Sequence, residues 1–199
     1  MTLLTPAAAL FDGDVIDLDV ECGPYTDVTL VTTGATRLNR CDHGLISAQL
    51  SVRVAAGAVF RYLPHELIPF RGSLYRQRMC IDLAADASAV LLEVITPGQD
   101  FTYRQLEFET RVRRESRTLM LERFVLTPDS RAALRGWTHY GSVFAFGSVA
   151  PTVDDVPNGG ASTLAGNGVV LKVLGDTAQQ LREALLVRVD QCHSPSAWA

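Results

Sequence analysis

Hydrophobic and polar residues alternate along much of the first 126 positions of the chain. In DVIDLDVE, Ile16, Leu18 and Val20 share one parity and acidic residues occupy the other, which is typical of a strand buried on one face. After a turn at Gly23-Pro24 comes DVTLVTT, which is rich in β-branched residues. The pattern predicts two strands joined by a tight turn.

The same scheme recurs three more times, in LSVRVAAGAVFRYL, RMCIDLAADASAVLLEV and LEFETRVRRESRTLMLERFVL. The turns fall at Ala56-Gly57, near Asp86 and near Ser116. A spacing of about 30 residues is the kind of period that stacked β units produce. We therefore predict a mainly β fold of layered hairpins, a stack of strand pairs resembling a β-helix.

The last third of the chain has a different pattern. Residues 127–168 are rich in Gly, Ser and Pro and predict a loop-rich connection, with PTVDDVPNGGAS its most linker-like piece. GVVLKVLG then predicts a final strand, so that residues 169–199 hold this strand and one or two C-terminal α-helices. With repeated strand pairs over 1–126, the whole chain is predicted to be one domain, 1–199.

The helix prediction rests on DTAQQLREALLVRVDQC. Asp176 or Thr177 can cap the free N–H groups at its start. Leu181, Leu185 and Val189 recur at four-residue intervals and predict its buried face.

Composition narrows the function classes. The 199 residues are 47% hydrophobic and 20% charged, which is typical of a globular protein. A net charge of −4 gives no global attraction to nucleic acid, although every basic residue except Lys172 is Arg. The short apolar run at the N-terminus is broken by Pro6, and the longest uncharged run is rich in Gly and Ser and ends at Pro151. These features predict a cytoplasmic protein without a membrane span, whose four cysteines are reduced thiols.

Candidate metal ligands are sparse. An acidic run from Asp12 to Glu21 lacks the glutamate that a calcium-binding loop would need, since Gly23 stands there, and is interpreted as a solvated strand face. Cys41 and His43 are weak candidate ligands for nickel or zinc, because Gly44 permits a turn that would bring them together. An ordinary polar loop is the competing interpretation, as it is for Cys192-His193.

Catalytic signatures are missing from the sequence. It has no nucleophile elbow, phosphate-binding loop, dinucleotide fingerprint or H-E-x-x-H motif, and its histidines are far apart. Arginines between positions 104 and 123 are interleaved with glutamates, which predicts cross-strand ion pairs rather than a nucleic-acid surface. We predict that the chain is not an enzyme and holds no tightly bound cofactor.

A series of short motifs follows in order along the chain: LLTPAAALFDGDVIDLDV, VTTGATRLNR, YLPHELIPFRG, LERFVLTPDS, YGSVFAFGS, NGVVLKVLG and a tryptophan near the C-terminus. Taken together in this order, they resemble the UreD (UreH) family of urease accessory proteins, in a short form. The positions that carry the resemblance as structural motifs are Gly13, Asp14, Thr32, Thr33, Ala35, Thr36, Leu63, Pro64, Ile68, Phe70 and Gly72.

The segment YLPHELIPFRG also places His65 and Glu66 side by side between two prolines. Prolines that restrict the backbone on both sides predict a bent strand edge, with Leu63, Leu67, Ile68 and Phe70 anchored in the core. His65 is interpreted as structural, and Glu66 as a possible member of an internal polar path.

The resemblance implies a β-helix-like scaffold rather than an enzyme. It implies that the chain binds the urease apoprotein and, with UreF-type and UreG-type partners, helps to insert Ni²⁺, which is present only in transit. Two alternatives stay open at this stage: a β-solenoid binding module, and a metal-dependent β-fold enzyme.

Overall fold

Two β-sheets stacked face to face make up most of the chain, in a computed structural model that describes residues 1–3, 9–96, 102–131, 134, 136–150 and 157–190. The strands are β1 (Thr2–Leu3), β2 (Val15–Cys22), β3 (Asp27–Thr32), β4 (Thr36–Leu38), β5 (Ile46–Val54), β6 (Val59–Tyr62), β7 (Leu67–Pro69), β8 (Leu74–Leu83), β9 (Ser88–Ile95), β10 (Gln105–Arg114), β11 (Arg117–Leu126), β12 (His139–Phe146), β13 (Gly159–Leu164) and β14 (Gly168–Gly175). Helix α1 (Ala178–Asp190) and two 3₁₀ turns, Pro128–Arg131 and Gly147–Val149, are the helical elements of the described residues. The mainly β prediction, with a C-terminal helix, is confirmed.

The smaller sheet has the strand order β11-β10-β8-β5-β2, and its strands from β2 to β10 are parallel. Asp17 lies beside Gln49, Gln49 beside Arg78, and Arg78 beside Glu109. One turn of the coil therefore takes about 30 residues, which is the period expected for a stacked β-coil.

The predicted hairpins are wrong for the first three strand pairs. The turn at Gly23-Pro24 carries the chain from β2 in the smaller sheet to β3 in the larger one, and β5–β6 and β8–β9 cross in the same way. Only the fourth pair, β10–β11, is an antiparallel hairpin, and both of its turn residues, Glu115 and Ser116, have positive φ. A half-buried strand has the same alternation whether its neighbour belongs to the same turn of the coil or to the next, so the pattern could not distinguish the two arrangements.

The larger sheet begins with parallel strands and ends with antiparallel ones. Its order is β1-β3-β6-β9-β12-β14-β13, with β4 paired to β7 and β7 joined to β9. Strand β12 lies inside this sheet, between β9 and β14, so the prediction of a loop-rich connection over 127–168 is wrong. Gly141 looked like a loop residue, but a Cβ there would lie 2.5 Å from Leu185 and 2.9 Å from Leu181 of α1. Close approach of the helix to the strand is the reason for the glycine.

Strand β9 lies at the centre of the fold and is buried on both faces. Leu91 faces the space between the two sheets, whereas Leu92 faces α1. The helix covers this outer face with Leu181, Leu185 and Val189, which are 3%, 0% and 1% exposed. The predicted buried face of α1 is thus confirmed.

Candidate functional site

A row of polar side chains crosses the otherwise apolar space between the two sheets. Strand alternation turns Glu93 of β9 to the same inner face as Leu91. Ser142 of β12 lies directly beside Glu93, and Lys172 of β14 lies directly beside Ser142. The larger sheet therefore supplies a carboxylate, a hydroxyl and an ammonium group at one level of the core.

The smaller sheet faces this level with two further polar side chains. Gln77 Nε2 of β8 donates a hydrogen bond of 2.6 Å to Glu93 Oε1. Lys172 Nζ donates to Glu122 Oε1 of β11 and forms an ion pair with it. We call these five residues, Gln77, Glu93, Glu122, Ser142 and Lys172, the interior polar row.

The interior polar row retains unused acceptor atoms. Glu93 is only 6% exposed and Ser142 is fully buried. Glu93 Oε2 and Glu122 Oε2 have no hydrogen-bond partner among the described residues, and the Ser142 side chain interacts with Glu93 and Tyr140. Buried oxygens without partners are costly, so these atoms are suited to receive a proton, a water molecule or a cation.

Burial also shifts the pKa values of residues in and beside the interior polar row. It raises the pKa of Glu93 to about 7, against the opposing effects of the Gln77 hydrogen bond, the charge of Lys172 and the Ser142 hydrogen bond. Burial lowers the pKa of Lys172, and the charge of Glu93 opposes that shift. Burial raises the pKa of Tyr62 to about 12, and Glu93 adds to the shift. Near neutral pH, Glu93 therefore exists in both its protonated and its ionised form.

A cavity of about 80 Å³ lies between the sheets and reaches the interior polar row. Its polar lining includes Gln77, Glu93, Thr32, Thr36, His65 and Tyr75. This volume is far below that of pockets for organic ligands, but it is sufficient for water and a small ion. The cavity connects the interior polar row with the corner that contains His65.

That corner brings two of the recognised motifs into contact. In the register of the larger sheet, Thr36 of β4 pairs with Leu67 of β7. The hydroxyl of Thr32 accepts a 2.9 Å hydrogen bond from His65 N and donates one of 3.0 Å to Gly34 O, and Thr36 N donates to Glu66 O at 2.9 Å. The segments around 32–36 and 62–72 therefore form one structural unit in successive turns of the coil.

Glu66 lies at this corner but is not among the residues that line the cavity. Its Oε2 atom is 3.8 Å from His65 Nδ1, and its charge opposes the lowering by burial of the pKa of Arg182 on α1. The internal path through Glu66 stays a prediction, and Glu93 is the carboxylate that the structure places on the cavity. Phe70 follows β7 and is 42% exposed, so its predicted role as a core anchor is wrong, because Leu67 and Pro69 are the residues that β7 turns inward.

The other motif positions shape the backbone. Gly13 and Gly72 have φ of +84° and +74°, a region that favours glycine. Asp14 Oδ2 accepts a 2.8 Å hydrogen bond from Phe11 N and so closes the turn before β2. Thr33 is exposed, whereas Ala35, Leu63, Pro64 and Ile68 are among the half-buried positions.

Cys41 and His43 belong to a loop that folds around the Asp12 carboxylate. This carboxylate accepts hydrogen bonds of 2.8 to 2.9 Å from the backbone N–H groups of Asp42, His43 and Gly44, which lower the pKa of Asp12. Cys41 is buried, whereas His43 is exposed. Within the described residues, no three His, Cys, Asp or Glu side chains come together as a metal site. Cys192 and His193 lie outside the described residues.

Sequence reasoning missed the interior polar row, although the signal was present. Glu93 is the only charged residue in the strand SAVLLEVI, and it has the same parity as Leu91. Lys172 is the only lysine of the chain and stands in the apolar strand GVVLKVLG. A single charge at an inward position of a central strand is a sign of a buried polar group that requires a partner.

Comparison with known proteins identifies similar sequences. The model of the family described as "UreD urease accessory protein" matches residues 1–195. A urease accessory protein UreD of Lachnoclostridium phytofermentans is 23% identical over 96% of this chain and 76% of its own length. One of Actinomyces naeslundii is 26% identical over 92% of this chain and 75% of its own length. One of Streptomyces griseus, UreD 2, is 31% identical over 65% of this chain but only 46% of its own length. In the described part of this chain, no helix is long and apolar enough to cross a membrane.

Proposed function

Because this chain belongs to the UreD family of urease accessory proteins, we propose that it is a scaffold that binds the urease apoprotein and helps to insert Ni²⁺ into its active site. UreF-type and UreG-type accessory proteins are the proposed partners in this step. The relatives are named as accessory proteins, which supports a role in urease maturation other than catalysis. Ni²⁺ is in this proposal the cargo and not a resident cofactor.

The observation that carries the nickel part of the proposal is the interior polar row at the end of the cavity. Glu93 and Glu122 each have one carboxylate oxygen without a partner among the described residues. Carboxylate, hydroxyl and amide oxygens can hold a divalent cation in a partly hydrated form. The small cavity volume fits a hydrated ion and not an organic substrate.

The same row supports brief rather than tight binding. Lys172 already neutralises Glu122, and a divalent cation would compete with its ammonium group. Glu93 must release its proton before it can attract the ion, which a pKa of about 7 allows near neutral pH. A protein that passes Ni²⁺ on to urease must also release it, and a site that binds Ni²⁺ weakly allows this release.

A deletion strain tests the scaffold proposal. We expect a strain that lacks this gene, but retains the urease subunits and other accessory genes, to produce urease subunits with little nickel and little activity. Reintroducing the wild-type gene should restore both. Full activity and full nickel content in the deletion strain, grown with ordinary nickel, would contradict the proposal.

Titration of the purified chain with Ni²⁺ tests the transit part. We expect calorimetry to find binding weaker than micromolar, because three convergent ligands of the common metal-binding types are not present in the described residues. His43→Ala serves as the control, because His43 is exposed and outside the cavity. A submicromolar site that this substitution abolishes would contradict transit through the interior.

A further inference from the structure

A short connecting segment, and not a strand, forms the wall of the cavity at the His65 corner. Residues 63–66 join β6 to β7, and Pro64 and His65 line the cavity. The side chain of His65 is also 41% exposed, so the cavity and the solvent meet at this segment. Glu66 is outside the cavity lining and lies close enough to Arg182 of α1 for their charges to interact. The segment therefore separates the cavity from α1, and we call residues 63–66 the corner loop.

Hydrogen bonds hold the corner loop from two sides. The preceding turn of the coil binds it through Thr32 Oγ1 and Thr36 N, at 2.9 Å each. On the other side, Arg182 Nη1 of α1 donates a hydrogen bond to Pro64 O. Proline has no N–H group, so this carbonyl oxygen is the one backbone group of Pro64 that can form a hydrogen bond. Arg182 therefore holds the corner loop at the residue with the fewest other attachments.

The position of Arg182 depends on how closely α1 packs on the larger sheet. Leu181, the residue before it, lies over two glycines: a Cβ at Gly141 would be 2.9 Å from the Leu181 side chain, and a Cβ at Gly175 would be 3.1 Å from it. The start of the helix can approach the sheet this closely because neither glycine carries a side chain. Movement of this part of α1 away from the sheet would withdraw Arg182 from the corner loop.

Packing alone does not account for an arginine at this position. Burial lowers the pKa of Arg182, and the charge of Glu66 opposes that shift. An aliphatic side chain on the same flank of α1 would avoid the cost of burying part of a guanidinium group. It could not bind the carbonyl oxygen of Pro64, whereas a charged donor binds such an oxygen more strongly than a neutral one.

We propose that α1 is a latch on the cavity, and that Arg182 is the positioning residue through which it keeps the corner loop closed. With the helix in place, the loop is held between the preceding turn of the coil and Arg182. When the start of α1 moves, Pro64 is released, His65 loses its hydrogen bond to Thr32, and the cavity opens to solvent at this corner. The identity of the entering ion as Ni²⁺ rests on the proposed function, whereas the latch itself does not.

Hydrogen exchange of the full chain, resolved to single amides, measures the release of the corner loop. The reporters are the amides of His65 and Thr36, which form the bonds to the preceding turn. We expect Arg182→Met to raise their exchange rates by roughly tenfold, which is typical of the loss of one hydrogen bond from a charged donor. Arg182→Lys keeps a charged donor and should restore part of the protection. Glu183→Gln, on the exposed side of α1, is the control and should change neither rate.

A thiol inside the cavity measures the opening of the cavity itself. Ala48→Cys adds a thiol to the cavity lining, and mass spectrometry follows its alkylation by a small reagent. We expect Arg182→Met to raise this alkylation rate together with the exchange rates of the two amides. Cys22 is buried and outside the cavity lining, so its alkylation reports a loosening of the whole fold and should not change.

Gly141→Ala tests the helix while Arg182 stays intact. The added methyl group would meet Leu181 and Leu185, so the start of α1 must shift, and we expect the same rise in amide exchange at His65.

Three results would overturn the latch. These are unchanged exchange at His65 and Thr36 in Arg182→Met, faster exchange with unchanged alkylation of Ala48→Cys, and an equal rise in the alkylation of Cys22. The measurements use neither nickel nor urease, so the latch and the proposed function can fail separately.

Discussion

The outer face of the smaller sheet and the interior polar row use the same residue types in opposite environments. Outside, Arg76 Nε is 2.6 Å from Glu107 Oε2, and Arg123 Nε is 2.8 Å from Glu109 Oε2. Inside, the carboxylates of Glu93 and Glu122 have Lys172 as their nearest cation among the described residues. The outer charges are matched in pairs, whereas the interior charges are not.

The two environments shift the pKa values of two glutamates in opposite directions. The hydrogen bond from Arg76 lowers the pKa of Glu107, and burial raises the pKa of Glu93 to about 7. Exposed ion pairs contribute little to stability, and a poorly compensated buried charge costs much more. The outer pairs therefore suit a structural role, whereas the interior polar row costs stability, which agrees with the functional role proposed for it.

The largest expected effect is the pH dependence caused by Glu93. Its folded-state pKa lies above the unfolded value, so the folded state binds the extra proton and loses stability as the pH rises from about 4.5 to 7. Glu93→Gln removes this loss. We expect the variant to exceed the wild type by under about 1 kcal/mol at pH 5 and by roughly 3 kcal/mol at pH 9, as measured by urea unfolding.

Glu107→Gln is the matched outer variant. The folded-state pKa of Glu107 is lowered, so its contribution is already complete above the unfolded pKa and does not change between pH 5 and 9. We expect this variant to be less stable than the wild type by under about 1 kcal/mol throughout this range. If the unfolding free energies of both variants depended on pH in the same way, the proposed difference between the interior polar row and the outer face would be wrong.

An effect smaller than that of Glu93→Gln, but larger than that of Glu107→Gln, is expected at Lys172. Lys172→Met leaves Glu93 and Glu122 without their shared cation, and the side chain of Lys172 is 44% exposed, so water reduces the loss. We expect a decrease in unfolding free energy of roughly 2 kcal/mol at pH 8 and a smaller decrease at pH 5, where Glu93 is protonated. A decrease independent of pH would show that Lys172 does not sense the charge of Glu93.

The smallest effect is expected at Arg123. Arg123→Met removes one of the two arginine partners of Glu109 on the outer face and leaves Arg111, and the Arg123 side chain is 62% exposed. We expect chemical unfolding to show a loss of under about 0.5 kcal/mol, because solvent replaces most of the interaction. A loss as large as that of Lys172→Met would mean that the outer ion pairs determine stability.

The sequence predicted the strands of the coil because alternation reports which face of a strand is buried, as in Ile16, Leu18 and Val20. It could not predict the partner of each strand, since a strand that crosses to the other sheet keeps the same alternation. It missed β12 because Gly141 satisfies a packing requirement of α1 that is visible only in three dimensions. The sequence shows the charge of Glu93 in an apolar strand. It does not predict the partners Gln77 and Lys172, because the stacking of the coil brings them to Glu93.

The central claim is that the interior polar row serves urease maturation, and the nickel content of urease tests it most directly. The measurement is nickel per urease active site, by elemental analysis of urease purified from the deletion strain complemented with Glu93→Gln or with Glu107→Gln. We expect Glu107→Gln to restore the wild-type content and Glu93→Gln to leave urease largely without nickel, although the Glu93 variant is at least as stable. Equal nickel contents with the two variants, at equal levels of the accessory protein, would contradict the account.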